Sequence, residues 1–224
     1  CADVLSKELL KLMKITEEST VLVVGLGNRY ITPDSIGPQA VGKIFVTRHL
    51  NGIEGENFKF DFREVSAIAP GVLGITGIET EETVASIVNI VKPDYVIAID
   101  ALASRRLSRL GTTIQLSDTG INPGSGVGNN RKELSEKSLG VKVIAIGVPM
   151  DVDASTMTSD VVEKVGEYVA ENSGEKIFNM LGSLDFDDRE SLINAAINEK
   201  TENMIVTPNN VDVIAKQASI IIAE

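Results

Sequence analysis

Two aspartates stand where an α/β chain does its chemistry. Asp34 lies in the loop leaving the first expected strand, Gly25-Leu-Gly-Asn-Arg-Tyr-Ile-Thr-Pro-Asp34, and Asp100 closes the apolar run Val96-Ile-Ala-Ile-Asp100. A carboxylate ending a buried strand is costly unless paired, hydrogen-bonded or solvated, because desolvation penalises its charged form. If both face one crevice they cannot both ionise easily, so one keeps a proton and the other does not. The ionised one can take a proton from water. The protonated one can polarise a carbonyl or protonate a leaving amine, which is the pairing needed to hydrolyse an amide without a side-chain nucleophile. Plainer roles suit the same positions: Asp100 capping Ala101-Leu-Ala-Ser-Arg105, and Asp34 as an N-cap or turn residue after Pro33.

Other motifs are less specific. Asp118-Thr-Gly-Ile-Asn-Pro-Gly-Ser-Gly-Val-Gly-Asn-Asn-Arg-Lys132 carries four glycines whose exposed N–H groups could hold an anion or a peptide backbone. Gly124, Ser125 and Gly126 are its candidate substrate-binding residues; a mobile loop with no ligand is the alternative. It lacks Gly-Lys-Ser/Thr, so it is no phosphate-binding loop. Gly25-Leu-Gly-Asn28 starts like a dinucleotide fingerprint, but the third glycine would fall at Tyr30, and a tight turn is the better account. His49 is read as a structural histidine and Cys1 as incidental. Asp185-Phe-Asp-Asp-Arg189 lacks the glycine and later glutamate of a calcium loop and reads as a solvated helix start.

Composition narrows the chemistry. The 224 residues carry 21 basic and 32 acidic side chains, so 21 − 32 = −11, with one His, one Cys and 43% apolar residues. That surplus of negative charge disfavours direct binding to nucleic acid. One Cys and one His exclude an internal disulfide and a cysteine/histidine zinc cluster, and any Ser-His-Asp or Cys-His mechanism would hang on His49. No metal or cofactor is expected. No apolar run approaches the ~18 residues of a membrane span, and the first residues are not a secretion signal, so a cytoplasmic protein without a membrane partner is expected.

The elements that must position the acids follow from periodicity. Residues 3–16 read as an amphipathic helix, Thr20–Gly25 as a strand buried on both faces, and Ser35–Leu50 as a helix with Ile36, Val41, Ile44 and Phe45 on one stripe. A strand near Arg63–Ala69, a helix near Glu79–Val91, and strands at Asp94–Asp100, Thr112–Ser117 and Lys142–Gly147 continue the alternation. Consecutive helices are expected over about 155–200, and Pro208-Asn-Asn-Val-Asp starts a last one. Strands separated by helices predict an α/β fold: a three-layer α/β/α arrangement with a mostly parallel sheet. Residues 1–224 are read as a single domain with a helical subregion at about 155–200. The chain opens on Cys and stops within an apolar element, so a processed or trimmed fragment is expected.

Several long motifs in order make the sequence recognisable. Val21-Leu-Val-Val-Gly-Leu-Gly-Asn28, Thr32-Pro-Asp34, Gly37-Pro38, Val46-Thr-Arg-His-Leu50, Ala69-Pro-Gly-Val-Leu-Gly-Ile-Thr-Gly-Ile-Glu-Thr80, Val96-Ile-Ala-Ile-Asp-Ala-Leu-Ala-Ser-Arg105, Asp118 to Asn129 and Ile144-Ala-Ile-Gly-Val-Pro149 resemble the germination protease family of spore-forming bacteria. The resemblance runs from about residue 20 to 155 and returns at Thr207-Pro208. It implies an atypical aspartic endopeptidase that degrades small acid-soluble spore proteins in the spore core during germination. It also implies synthesis as a zymogen and a homotetramer, with the essential acids at Asp34 and Asp100. The implied fold is that of the hydrogenase maturation endopeptidases (phosphorylase/hydrolase-like), where the loop after the first strand carries an acid that binds nickel. The family's N-terminal portion is absent here, which leaves open whether such a fragment is an active enzyme or an inactive core. Two rival readings remain: a metal-dependent peptidase of the hydrogenase-maturation type using the same carboxylates, and a non-catalytic binding module.

Overall fold

A computed structural model describes residues 1–50, 62–124, 132–173 and 204–224, the side chains of 166–173 excepted. The chain divides into two compact units: residues 1–102, 114–148 and 210–224 form the first, and 103–113 with 149–209 the second. The first unit is organised by strand β1, Val21–Gly25, whose β-branched run is buried at every position. A strand with no solvent face needs partners on both edges and cover above and below. β2, Val65–Ile68, pairs with it in parallel from Val21↔Val65, and β3, Tyr95–Ala103, pairs in parallel on the other side from Val21↔Tyr95 to Gly25↔Ile99. With β4, Gln115–Ser117, and β5, Lys142–Asp153, the strand order is β2-β1-β3-β5-β4. β4 runs antiparallel to β5 in a mostly parallel sheet.

Side-chain alternation sorts the two faces. Leu22, Val24, Val96, Ala98 and Val143 pack against Val84 and Val88 of helix α4, Thr80–Val91, and against Leu139 of helix α5, Glu136–Leu139. Val84 and Val88 stand one turn apart, so α4 turns one stripe to the sheet. Each such buried side chain contributes roughly 1.5–3 kcal/mol. α4 stops at Lys92, a C-cap in the left-handed region at φ 51°, just ahead of Pro93. The carboxylate of Asp94 then accepts from Thr20 N at 2.7 Å and Thr20 Oγ1 at 3.1 Å, tying together the approaches to β1 and β3.

Helix α2, Ile36–Val41, sits against β1, and helix α7, Val211–Ala223, packs on α2. Lys43 Nζ donates to Gln39 O at 2.9 Å and to the buried Ser219 Oγ at 2.8 Å, joining the end of α2 to α7. Burial, and then the nearby Lys216, hold the Lys43 ammonium below its ordinary pKa. Helix α1, Ala2–Leu12, is shorter than the 3–16 expected. A four-residue helix α3, Leu73–Thr76, was not foreseen.

The helix expected over Ser35–Leu50 ends at Val41, and only a 3₁₀ turn, Arg48–Leu50, follows. Tertiary pairing overrides the helical period here. Thr47 N donates to Val65 O at 3.0 Å, Thr47 Oγ1 accepts from Val65 N at 2.9 Å, and the same hydroxyl donates to the Arg63 carbonyl. The 43–47 segment thus secures the entry to β2, and Phe45, meant for the buried stripe, stands 68% exposed with its ring edge-on to Phe62. Thr47→Val keeps the shape and strands the part-buried Val65 N–H and Arg63 carbonyl. A loss of about 2 kcal/mol, or roughly 4–8 °C in thermal melting, is expected; an unchanged melt would show that the hydroxyl does not hold β2.

In the second unit, the end of β5 pairs antiparallel with β6, Ile205–Val206, through Val152↔Val206, and helix α6, Ala154–Ser173, begins the helical region. Residues 174–200 of that expected region, with Asp185, Asp187 and Asp188, lie outside the described residues. Asp160, on α6, accepts from Leu107 N at 2.6 Å, and Arg106 bonds Glu163 at 2.7 Å. The hydrogen bond to Glu163 and its charge raise the Arg106 pKa above its ordinary value. No helix among the described residues is long and apolar enough to cross a membrane.

Candidate active site

β1 stops at Gly25, opposite Ile99, while its neighbour β3 runs on to Ala103. Asp100 therefore does not close its strand, as the sequence suggested; it lies inside β3, one residue past the end of β1. Nothing in Ala101-Leu102-Ala103 breaks a strand, which is why the sequence did not reveal the true end. The position is still a strand-end position relative to β1, and that is where parallel sheets open a crevice. The order β2-β1-β3 also makes this the place where successive connections leave β1 on opposite sides. Asp100 is 5% exposed, and its Oδ1 accepts from Ala101 N at 3.0 Å.

Asp34 reaches the same end of β1 by a different route. Leu26 N still bonds Ile99 O at 2.8 Å, after which the chain turns away and returns through a 3₁₀ turn, Thr32–Asp34, into α2. That return is close. A Cβ on Gly25 or on Gly37 would overlap a backbone carbonyl, that of Gly37 in the first case and of Leu26 in the second, so α2 begins in backbone contact with the end of β1. Asp34 does not cap α2, whose N-cap is Ser35 with no side-chain cap bond. Its carboxylate, half-buried, turns back to the loop, where Oδ2 accepts from Asn28 N at 2.8 Å. Two carboxylates from separate strand-end segments thus stand at one end of β1.

The remaining candidates are placed differently. β4 runs opposite to β5, so the glycine-rich loop leaves the sheet toward the end where β5 begins. Gly124, half-buried with φ 70°, sits in the turn after the Ile121↔Leu134 bridge, and Ser125 and Gly126 lie outside the described residues. His49 is exposed in its 3₁₀ turn, and Cys1 is exposed ahead of α1. Among the described residues no group of three or more His, Cys, Asp and Glu side chains is placed to hold a metal ion. Sequence reasoning missed Gly27, Asn28 and Gly37 as shapers of the site. The Gly25-Leu-Gly-Asn28 motif was the available signal, set aside because it failed as a nucleotide fingerprint.

Comparison with known proteins identifies the family. Residues 1–177 match the family model described as germination protease. The germination protease of Clostridium acetobutylicum is 50% identical over 226 residues, covering 99% of this chain and 68% of that protein. That of Clostridium tetani is 48% identical over 222 residues, covering 98% and 69%. The chain is thus a peptidase, a hydrolase of peptide bonds. It belongs to the germination protease family. Among solved structures, a NiFe hydrogenase maturation protease of Thermococcus kodakarensis overlays with TM-score 0.40 and 16% identity, over 77% of this chain and 99% of that one, a likeness too slight to speak for this chain's chemistry.

Proposed function

We propose that this peptidase is an endopeptidase that starts the degradation of small acid-soluble spore proteins during spore germination, through an aspartic mechanism in which Asp34 and Asp100 activate water. One observation carries the mechanism: two aspartates from separate segments stand at the same end of β1, one held by Asn28 N–H and one buried in β3. The ionised carboxylate takes a proton from water as the water oxygen bonds to the scissile carbonyl carbon. The protonated one gives its proton to the carbonyl oxygen, and collapse of the tetrahedral adduct sends a proton to the leaving amine. No side-chain nucleophile enters, in keeping with a chain that offers one His and one Cys. On this reading the enzyme works in the spore core as a homotetramer released from a zymogen.

The full-length mature protein is expected to cleave a purified small acid-soluble spore protein, and to keep its rate within about twofold after exhaustive chelation, because carboxylates alone supply the acid and base. Loss of cleavage on chelation, restored by added divalent metal, would replace this mechanism with the metal-assisted one. Failure to cleave that substrate while cutting other proteins would overturn the substrate.

A further inference from the structure

The Asp34 carboxylate lies over a single peptide unit. Gly27 has φ 103°, and a Cβ there would overlap the Asp34 carbonyl oxygen and come within 2.8 Å of Asp34 Oδ1. Across the next peptide bond, Asn28 N–H donates to Oδ2 at 2.8 Å. One carboxylate oxygen faces a bare α-carbon and the other is held by an amide. We propose that the Gly27–Asn28 peptide is a positioning device for Asp34, setting the plane and rotamer of its carboxylate for turnover; this rests on the reading of Asp34 as an acid or base of the reaction.

The surrounding loop makes the peptide a fixed platform. Asn28 Oδ1 accepts from Tyr30 N at 3.0 Å, Asn28 O accepts from Ile31 N at 3.1 Å, and Ile31 O accepts from Asp34 N at 2.9 Å. The loop closes on itself before presenting Asp34. A backbone N–H to an ionised carboxylate is a strong, directional bond that costs no side-chain entropy on the donor side. Glycine is required opposite it on two counts: the positive φ, and the space that Oδ1 occupies. A displacement of about 1 Å in a reacting group lowers turnover by roughly a hundredfold, so a platform of this kind acts on kcat rather than on substrate binding.

Steady-state kinetics on the full-length mature protein, with a purified small acid-soluble spore protein as substrate, test it. Asn28→Pro removes the donor, and Asn28→Ala keeps the donor while removing the side chain, so the second is the reference for the first. Relative to Asn28→Ala, Asn28→Pro is expected to lower kcat about ten- to a hundredfold with KM within about twofold. Gly27→Ala should show the same split where it folds; the Asn28 pair decides if it does not. Equal kcat per folded molecule in Asn28→Pro and Asn28→Ala, with only thermal stability changed, overturns the positioning role. Asp34→Asn separates the two ideas: undiminished turnover there overturns the reading beneath the proposal, while its inactivity beside an unaffected Asn28→Pro overturns the positioning alone.

Discussion

Alanine in place of Gly37 is expected to lower the melting temperature by roughly 6–12 °C, the equivalent of about 3 kcal/mol. The added Cβ would overlap the Leu26 carbonyl oxygen and lie 2.6 Å from the Ile99 carbonyl oxygen. These are backbone atoms of the chain leaving β1 and of β3, tied to each other by Leu26 N to Ile99 O at 2.8 Å. No side chain is there to swing aside. Relief has to come from moving α2 off the sheet, which opens the contact of Ile36 and Ala40, both fully buried, and strains the packing of α2 on α7. Differential scanning calorimetry reads the effect; a melt within 1 °C of the parent would mean that α2 tilts away without cost and that its close seat is not what fixes the loop carrying Asp34.

Asp100→Asn is expected to reduce cleavage of a small acid-soluble spore protein by about a thousandfold or more, and Asp34→Asn by a similar factor, since each removes one of the two groups that handle protons in the proposed mechanism. The isosteric amide keeps an oxygen for the Ala101 N–H bond at 3.0 Å. It also takes an ionisable group out of a site only 5% exposed, so Asp100→Asn should melt no more than a few degrees below the parent. Activity lost with the fold retained is the signature of chemistry. Undiminished cleavage by either variant would remove that carboxylate from the mechanism.

Much of this arrangement was legible in the amino acids. The run Val21–Val24 declared a central strand, because a short β-branched stretch closed by glycine suits a strand covered on both faces. The helix near Glu79–Val91 was legible as well, and α4 spans Thr80–Val91. What periodicity could not reveal was decided by contacts distant in sequence. Thr47 belongs to a pattern that reads as helix, yet Arg63 and Val65 hold it at the edge of β2. The antiparallel course of β4 is set by its pairing with β5, on which its three residues are silent. Asp100 was read as the end of its own strand, whereas the strand that ends beside it is β1. The Gly27 contact with Asp34 was invisible because a glycine shows its reason only when the group filling its missing side chain is known.

The parallel pairing of β1 also bears on how the molecule is made. Val21 pairs with Val65 on one edge and Tyr95 on the other, both far downstream, and parallel pairs of such separation close late because the intervening chain must be gathered first. During synthesis the ribosome delivers Asp34 well before the strand bearing Asp100 exists to dock beside it. A half-made chain holds one carboxylate on a loop and no crevice. The order of translation therefore keeps the nascent polypeptide from bringing Asp34 and Asp100 to one end of β1 until the strand bearing Asp100 has been made.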